Sequence, residues 1–167
     1  MKKVLYSLLL IISILIFGGC GSDRDQKLIM ATEAGFAPYE FYENGEVVGV
    51  DIEIAKEIAK ALGKELEVKD VAFDFIINEV QSGKADFGAA GISITDERKE
   101  QVDFTIEYTV SNQVVVVRND SSIQSFDELG DKKIAVQLGT VGEGYVEENY
   151  PNATIVSQKK YLPAAED

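Results

Sequence analysis

Hydrophobic residues in the first half of the chain alternate between strand-like and helix-like spacing, and this alternation most strongly constrains the fold. Buried-strand patterns occur at Lys27–Thr32, Glu65–Val71 and Ala85–Ala90. Between them, apolar residues fall on one helical face over Asp51–Leu62 and again in the stretch that begins at Phe73. Because strand–helix–strand units form parallel sheets through right-handed crossovers, the sequence predicts an α/β fold.

Further signals complete the predicted order of elements. Turn residues between Phe41 and Val47 predict a β-hairpin, and Tyr108–Val117 is a β-rich run too long for one more short strand. The later patterns predict a short capped helix at Ser125–Gly130, a strand at Lys133–Val136, a glycine-rich loop at Gln137–Gly144 that enters a helix through about Tyr150, a strand at Ala153–Val156 and the start of a helix at Leu162–Asp167.

Composition excludes several classes of function. The 167 residues include 29 acids against 16 bases, a net charge of −13 that repels nucleic acid and anionic lipid. The chain has no histidine, which removes the commonest general base and metal ligand, and its one cysteine allows no internal disulfide. We therefore expect no metal, no cofactor and no nucleic-acid partner.

The N-terminus has the pattern of a targeting segment. A basic start at Met1–Lys3 precedes the apolar run Val4–Phe17 and then Gly-Gly-Cys, with the only cysteine at Cys20. This resembles a lipoprotein signal, with residues 1–19 cleaved, Cys20 acylated and residues 20–26 a polar linker, although Phe17 replaces the expected leucine. The alternative is an ordinary secretory leader with an incidental cysteine. Either reading places the mature protein outside the cytoplasm, and the first tethers it to the cell membrane.

The stretch Gly91–Arg98 combines the groups needed to hold a free amino acid. The Gly91 carbonyl has no side chain to shield it from a ligand ammonium, and Ser93 adds a hydroxyl. Thr95 followed by two acids predicts the start of a short helix, from whose first turn Arg98 presents a planar fork of donors. The set predicts an α-carboxylate clamp beside an α-ammonium acceptor.

This stretch also has a simpler interpretation as a capped surface helix. Arg98 would then pair with Glu97 or Asp103 and bind nothing else. The position of the stretch favours a binding site, because it follows the predicted strand Ala85–Ala90 and open α/β sheets bind ligands at the carboxyl ends of their strands.

Five motifs occur in the order and spacing of a known family. They are Ala31–Phe41, Gly49–Ala55, Gln81–Asp86, the sequence GISITDER at Gly91–Arg98, and Val102–Thr105. From about Lys27 to its end, the chain resembles the polar amino-acid solute-binding proteins of ABC importers. That family implies a two-lobe periplasmic-binding-protein-like fold, with parallel sheets flanked by helices and a ligand held between the lobes.

The resemblance also implies the division of the chain. Residues 27–110 would form lobe 1, and residues 111–167 a hinge strand and part of lobe 2. A later strand of the family, ending in an aspartate that takes the ligand ammonium, and the return to the first lobe are not found. We therefore expect an incomplete second lobe and a truncated or fragmentary record.

The resemblance assigns further roles in the site. Phe36 and Phe73 would flank the ligand side chain, and Glu33 would accept from its polar or cationic end. Thr140 would meet the ligand carboxylate through its N–H and hydroxyl, and Gln137 would face the ligand side chain. From the residues alone, Phe36 could equally plug the core, Glu33 could be a solvated acid, and Phe73 could belong to a core stripe.

These assignments predict an extracytoplasmic receptor that delivers a polar amino acid to an ABC importer permease and performs no chemistry. An acid at Glu33 favours a glutamine-like or basic ligand over an acidic one. The same fold also carries dehydratases of small cyclic acids, for which Glu33 and Asp103 are candidate acids. The sequence is also compatible with a sensory ligand-binding module and with a nonfunctional remnant.

Overall fold

The computed structural model describes residues 23–161. The predicted signal segment, Cys20 and the helix expected from Leu162 lie outside the described residues. Within them, no helix is long and apolar enough to cross a membrane.

A three-stranded parallel sheet forms the centre of the first region. Strand β1 (Lys27–Thr32) lies between β5 (Glu65–Asp70) and β6 (Phe87–Gly88), and both pair with it in parallel. The predicted parallel sheet is therefore confirmed. Because all three strands run the same way, their carboxyl ends, and the loops that follow, meet at one edge.

The third strand is shorter than the predicted Ala85–Ala90. The Asp86 carboxylate accepts the Ile29 N–H at 2.7 Å, so a side chain takes a donor that a longer ladder would use. On the other side of the strand, Gly91 has φ +55, a left-handed conformation that ends extended backbone.

An antiparallel meander follows β1 along the chain. It comprises β2 (Gly35–Phe36), β3 (Glu40–Glu43) and β4 (Glu46–Val48). Asn44 and Gly45 between the last two strands both have positive φ, as a tight hairpin turn requires. The predicted hairpin is confirmed.

Two helices cover opposite faces of the sheet. Helix α1 (Val50–Leu62) ends at Gly63, whose left-handed φ of 65° lets its N–H reach the carbonyls of the last turn. Helix α2 (Ile76–Gln81) follows a 3-10 turn at Phe73–Phe75, so the predicted helix exists with a tighter first turn.

Alternate residues of β1 supply two hydrophobic clusters. Ile29 and Ala31 pack towards α2 on one face, and Met30 packs against Ile52 and Ala55 of α1 on the other. This double burial fixes the register of β1 and the position of the loop that leaves it.

A smaller second region begins after residue 124. A 3-10 helix at Phe126–Leu129 precedes β7 (Lys133–Gln137), which pairs in parallel with β8 (Thr154–Gln158). Helix α4 (Val141–Asn149) connects β7 to β8. A short helix of the first region, α3 (Asp96–Lys99), comes earlier in the chain. The two strands and the helix after the glycine-rich loop are confirmed, with ends shifted by a few residues. The helix predicted at Ser125–Gly130 is a 3-10 helix without a side-chain cap.

The predicted strand at Tyr108–Val117 is wrong as secondary structure. Residues 103–117 contain no strand, because no described strand provides them with a hydrogen-bonding partner. Their apolar side chains lie in solvent, with Val110 85% and Val116 84% exposed. The proposed lobe limits at residues 110 and 111 stay a prediction.

The end of the predicted linker is folded. Asp23–Gln26 forms a 3-10 helix, and Arg24 donates to the Gly83 carbonyl at 2.7 Å and pairs with Asp86 at 3.4 Å. Arg24 thus finds two acceptors on the first region, and the limits of the predicted linker at residues 20–26 stay a prediction.

Candidate ligand-binding site

One cavity brings together every ligand-contacting residue that the sequence analysis selected. Its wall includes Glu33, Phe36, Phe73, Gly91, Ser93, Arg98, Gln137 and Thr140. These residues follow β1, β5, β6 and β7, so the cavity lies where the carboxyl ends of both parallel sheets meet.

Arg98 is positioned by the cap of α3. Its N–H donates to the Thr95 hydroxyl at 3.2 Å, which fixes the first helical turn. From there its guanidinium donates to the Ser93 carbonyl at 2.7 Å and to the Gly139 carbonyl at 3.0 Å. Its carbon lies 5.6 Å from the centroid of the Phe73 ring, a cation–π contact.

The Arg98 charge has no carboxylate partner within the described part of the chain. Its two acceptors are neutral carbonyls, and neither Glu97 nor Asp103 forms an ion pair with it. Burial lowers the pKa of Arg98, which the negative charge of Glu97 opposes. A partly desolvated guanidinium at a cavity wall is suited to bind a carboxylate from a ligand.

Thr140 lies across the cavity and caps α4. Its hydroxyl donates to the Gln137 carbonyl at 2.8 Å and accepts from the Glu143 N–H at 3.3 Å. Its N–H also reaches the Gln137 carbonyl, at 3.3 Å. Both groups predicted to meet a ligand carboxylate are thus engaged inside their own loop, and a ligand would have to share them.

Phe36 forms an aromatic wall rather than an isolated plug. Its ring stacks between Tyr39 at 5.4 Å and Tyr161 at 5.2 Å between centroids. Gly91 allows the ring its position, since a Cβ on Gly91 would lie 2.9 Å from a Phe36 ring carbon.

Asp51 holds the loop that begins at Gly91 in place. One of its oxygens accepts from the Gly91 N–H and from the Tyr108 hydroxyl, each at 3.0 Å. Burial, followed by the Asp51 charge, raises the pKa of Tyr108, so this phenol stays a donor. A single carboxylate therefore connects α1, the loop after β6 and the segment that leads to the second region.

Two buried acids line the cavity and a third, Asp51, lies next to them. Glu33, Glu40 and Asp51 are each 1% exposed. Burial, and then the hydrogen bond to Asp51, raises the pKa of Glu40 to about 10. At neutral pH Glu40 is thus an uncharged acid able to donate its proton to Asp51, whose Oδ1 finds no other donor.

Glu33 lies inside the site, and its interpretation as a solvated acid is wrong. One carboxylate oxygen accepts from the Gln137 amide at 3.2 Å, and the other pairs with the Lys160 ammonium at 3.2 Å. Lys160 is not aligned for a hydrogen bond there, so Glu33 Oε1 still lacks a hydrogen-bond donor. Gln137 Oε1 also lacks one, which leaves two buried acceptors at the same end of the cavity.

Several residues of the site were not selected from the sequence. Among them are Glu40, Asp51, Tyr108, Lys160 and Tyr161. The last two follow β8 just as Glu33 follows β1, so the rule that ligands meet the carboxyl ends of parallel strands could have indicated them.

The cavity is small in this structure. Its volume of about 40 Å³ is room for a few water molecules, so an amino acid needs side chains such as Tyr161 to move. Within residues 23–161, no group of three or more acid, histidine or cysteine side chains is placed to hold a metal ion.

The site can be compared with known proteins. The family described as bacterial extracellular solute-binding proteins, family 3, matches residues 28–162. The chain belongs to this family. The match covers the sheets, the cavity and nearly all of the described residues, so the family resemblance inferred from the five motifs is confirmed, along with the periplasmic-binding-protein-like α/β fold.

Relatives within this family include amino-acid receptors. The arginine-binding extracellular protein ArtP of Bacillus subtilis (strain 168) is 40% identical over 151 residues, covering 86% of this chain and 58% of its own length. The chain thus spans less than two thirds of that relative.

Solved structures of the family superpose on the chain. The substrate-binding protein of an amino acid ABC transporter aligns with a TM-score of 0.81 and 44% identity, covering 84% of this chain and 64% of its own. The ancestral amino acid-binding protein AncCDT-1, a precursor of cyclohexadienyl dehydratase, aligns with a TM-score of 0.81 and 37% identity, covering 86% and 65%. One solved neighbour of the chain is thus described as the precursor of an enzyme.

Proposed function

We propose that this chain binds a free polar amino acid in the cavity, as part of an extracytoplasmic receptor that delivers it to the permease of an ABC importer. The observation that carries this proposal is the Arg98 guanidinium, which is partly buried at the cavity wall and bonded to neutral carbonyls alone. An α-carboxylate would supply the missing negative charge. Ser93 would assist it, and the Gly91 carbonyl would accept from the α-ammonium.

The other end of the cavity favours a ligand side chain with N–H donors. Glu33 Oε1 and Gln137 Oε1 are buried acceptors without a hydrogen-bond donor, and Phe36 forms the adjoining aromatic wall. A glutamine-like amide or a basic side chain would satisfy these acceptors, whereas a carboxylate would be repelled by Glu33. The names of relatives such as the arginine-binding protein are consistent with this preference.

We include in the same proposal that the receptor is anchored to the outer side of the cell membrane through Cys20. A receptor with Cys20 acylated would stay beside its importer, which raises the effective concentration of ligand-loaded protein at the permease. Because residues 23–26 are folded onto the first region, only Gly21 and Ser22 would separate Cys20 from the folded protein. Mass spectrometry of the membrane fraction tests this: acyl chains on Cys20 support the anchor, and an unmodified cysteine contradicts it.

Loss of binding on removal of the clamp tests the receptor function. In calorimetric titrations with glutamine, arginine, lysine and histidine, at least one should bind the wild-type protein. Arg98→Ala should weaken that binding by about 2–5 kcal/mol, because a buried charge pair loses one partner. The control is Arg118→Ala, since Arg118 is exposed and pairs with nearby Asp120. Equal effects of the two substitutions, or no binding by the wild type, would contradict the proposal.

We infer further that the chain turns over no substrate. The sequence has no histidine, and the uncharged acid Glu40 is directed to Asp51 rather than left free for proton transfer. A dehydratase assay with prephenate addresses the lineage of AncCDT-1 directly. Formation of product above the rate in buffer would contradict this inference.

A further inference from the structure

The segment Lys159–Tyr161, directly after β8, closes the side-chain end of the cavity. The Gln137 amide donates to the Lys159 carbonyl at 3.1 Å, which fixes the backbone of the segment. Lys160 places its ammonium 3.2 Å from Glu33 Oε1, and Tyr161 stacks on Phe36. The segment thus contacts Glu33, Phe36 and Gln137, three of the groups assigned to recognise the ligand side chain.

We propose that Lys160 is a specificity-determining residue, a built-in counter-ion that neutralises Glu33 and weakens binding of amino acids with cationic side chains relative to neutral polar ones. The inference rests on the proposed function of the cavity. The inference goes beyond that function by assigning the charge preference to the pair Glu33 and Lys160 rather than to Glu33 alone.

Burial makes this ion pair effective. The Glu33 side chain is 2% exposed, so its charge is poorly solvated and acts strongly on any nearby cation. The Lys160 side chain is 48% exposed and reaches Glu33 from the solvent side, so it can move without disturbing the core. Among the described residues, Lys160 is the cation paired with Glu33, and the preference should depend on it.

A cationic ligand and a neutral one meet this pair differently. A guanidinium directed at Glu33 Oε1 competes with the Lys160 ammonium for the same oxygen, and the displaced ammonium remains close enough to repel it. A neutral amide can donate to the open Gln137 Oε1 while the ion pair stays in place. Lys160 therefore opposes arginine more than glutamine.

Calorimetric titration of L-arginine and L-glutamine into wild-type protein and Lys160→Met tests the inference. Methionine keeps an unbranched side chain and removes the charge. The Kd of L-arginine should fall on the order of tenfold, whereas the Kd of L-glutamine should change much less. The matched control is Lys159→Met, which removes the same charge one residue away and keeps the backbone carbonyl that Gln137 binds.

A second pair of variants isolates the interaction. In a Glu33→Gln background, Lys160→Met should change the ratio of the two Kd values less, because competition for the carboxylate is gone and only the repulsion between the ammonium and the ligand cation remains. An unchanged ratio in Lys160→Met, or an equal shift in Lys159→Met, would overturn the inference while leaving the receptor function intact. Failure of wild-type protein and every variant to bind any amino acid would overturn both.

Discussion

The two regions of the molecule differ in how much hydrophobic surface they bury. In the first, β1 is covered on both faces, and both hydrophobic clusters of the described chain lie between Ile29 and Ile92. In the second, β7 and β8 form a two-stranded sheet whose buried hydrophobic residues are Leu129, Val136 and Val146. Most of the buried hydrophobic residues therefore lie in the first region, where we expect most of the hydrophobic stabilisation, while residues of both regions line the cavity.

Polar contacts in the cavity also join the two regions. Arg98 binds the Gly139 carbonyl, and Glu33 binds both Gln137 and Lys160. The groups that would hold a ligand therefore also hold the weaker region against the stronger one. A ligand that replaces these contacts with its own would stabilise the second region in particular.

Truncating a core side chain in each region should give the largest contrast. Ile52→Ala removes a side chain that is 1% exposed and should lower the free energy of unfolding by about 2–5 kcal/mol. Val146→Ala in α4 removes less volume at a 7% exposed position and should cost about 1–2 kcal/mol. Urea denaturation followed by circular dichroism measures both.

Hydrogen exchange extends this comparison to single amides. Val146→Ala should raise exchange in β7 and β8 while β1 remains protected, whereas Ile52→Ala should raise it in both regions. Uniform loss of protection in both variants would show that the regions unfold as one unit and that the contrast is wrong.

Glu40→Gln should remove a pH-dependent destabilisation from the first region. The folded protein holds the Glu40 proton up to a pKa of about 10, against a usual value of 4.5, so unfolding releases a proton between these pH values. The contribution of Glu40 to stability is thus lost as pH rises through this window, by at most about 1.4 kcal/mol per pH unit. Glutamine does not titrate and can still donate to Asp51.

Thermal and urea denaturation at pH 5, 7 and 9 measure this effect. The stability of Glu40→Gln relative to wild type should increase with each step. Glu43→Gln is the matched control, because Glu43 lies exposed at the end of the same strand. A constant difference across the pH range would show that Glu40 is ionised in the folded protein.

Gly139→Ala should disturb the contact between the regions, with a smaller effect on stability than Ile52→Ala. Gly139 has φ +78, and a Cβ there would lie 2.9 Å from Asp74 Cβ. The loop before α4 would have to retreat, which should weaken amino-acid binding at least about tenfold, since the binding groups on the two sides of the cavity would separate. The destabilisation should be about 1–2 kcal/mol.

Gly63→Ala provides the control for backbone strain. Gly63 has a similar φ of +65, but nothing lies within 4 Å of the added Cβ. It should lose a similar amount of stability and keep its affinity in the same titration. Equal losses of affinity would mean that strain, rather than contact with Asp74, accounts for the Gly139 effect.

Much of the first region was predictable because local pattern and tertiary environment agree there. The spacing of Ile52 and Ala55 and the glycine at position 63 predicted α1 to within one residue. The strand predicted at Tyr108–Val117 was wrong because β-propensity reports only that a side chain fits a sheet. A strand also needs a neighbouring strand to accept and donate its backbone hydrogen bonds. No sequence pattern reports whether that neighbour is present.

The site was predictable where a single segment carries its chemistry. Gly91, Ser93 and Arg98 lie within one motif, and the cap at Thr95 aims Arg98 as expected. Asp51 and Lys160 were missed because their partners lie 40 or more residues away and each residue is ordinary in its local context. Likewise, the raised pKa of Glu40 depends on burial beside Asp51, which only the folded arrangement creates.

The shared oxygen of Asp51 has an evolutionary consequence. Because it serves both the Gly91 N–H and the Tyr108 hydroxyl, a change at position 51 leaves two distant segments without their acceptor. If Tyr108 changes to phenylalanine, the Asp51 carboxylate is still needed by the Gly91 N–H. If the Asp51 carboxylate is lost, the Tyr108 hydroxyl is left without its acceptor, and tyrosine at position 108 becomes unfavourable as well. Positions 51 and 108 should therefore vary together across descendants of this gene, with Asp51 changing more slowly than Tyr108.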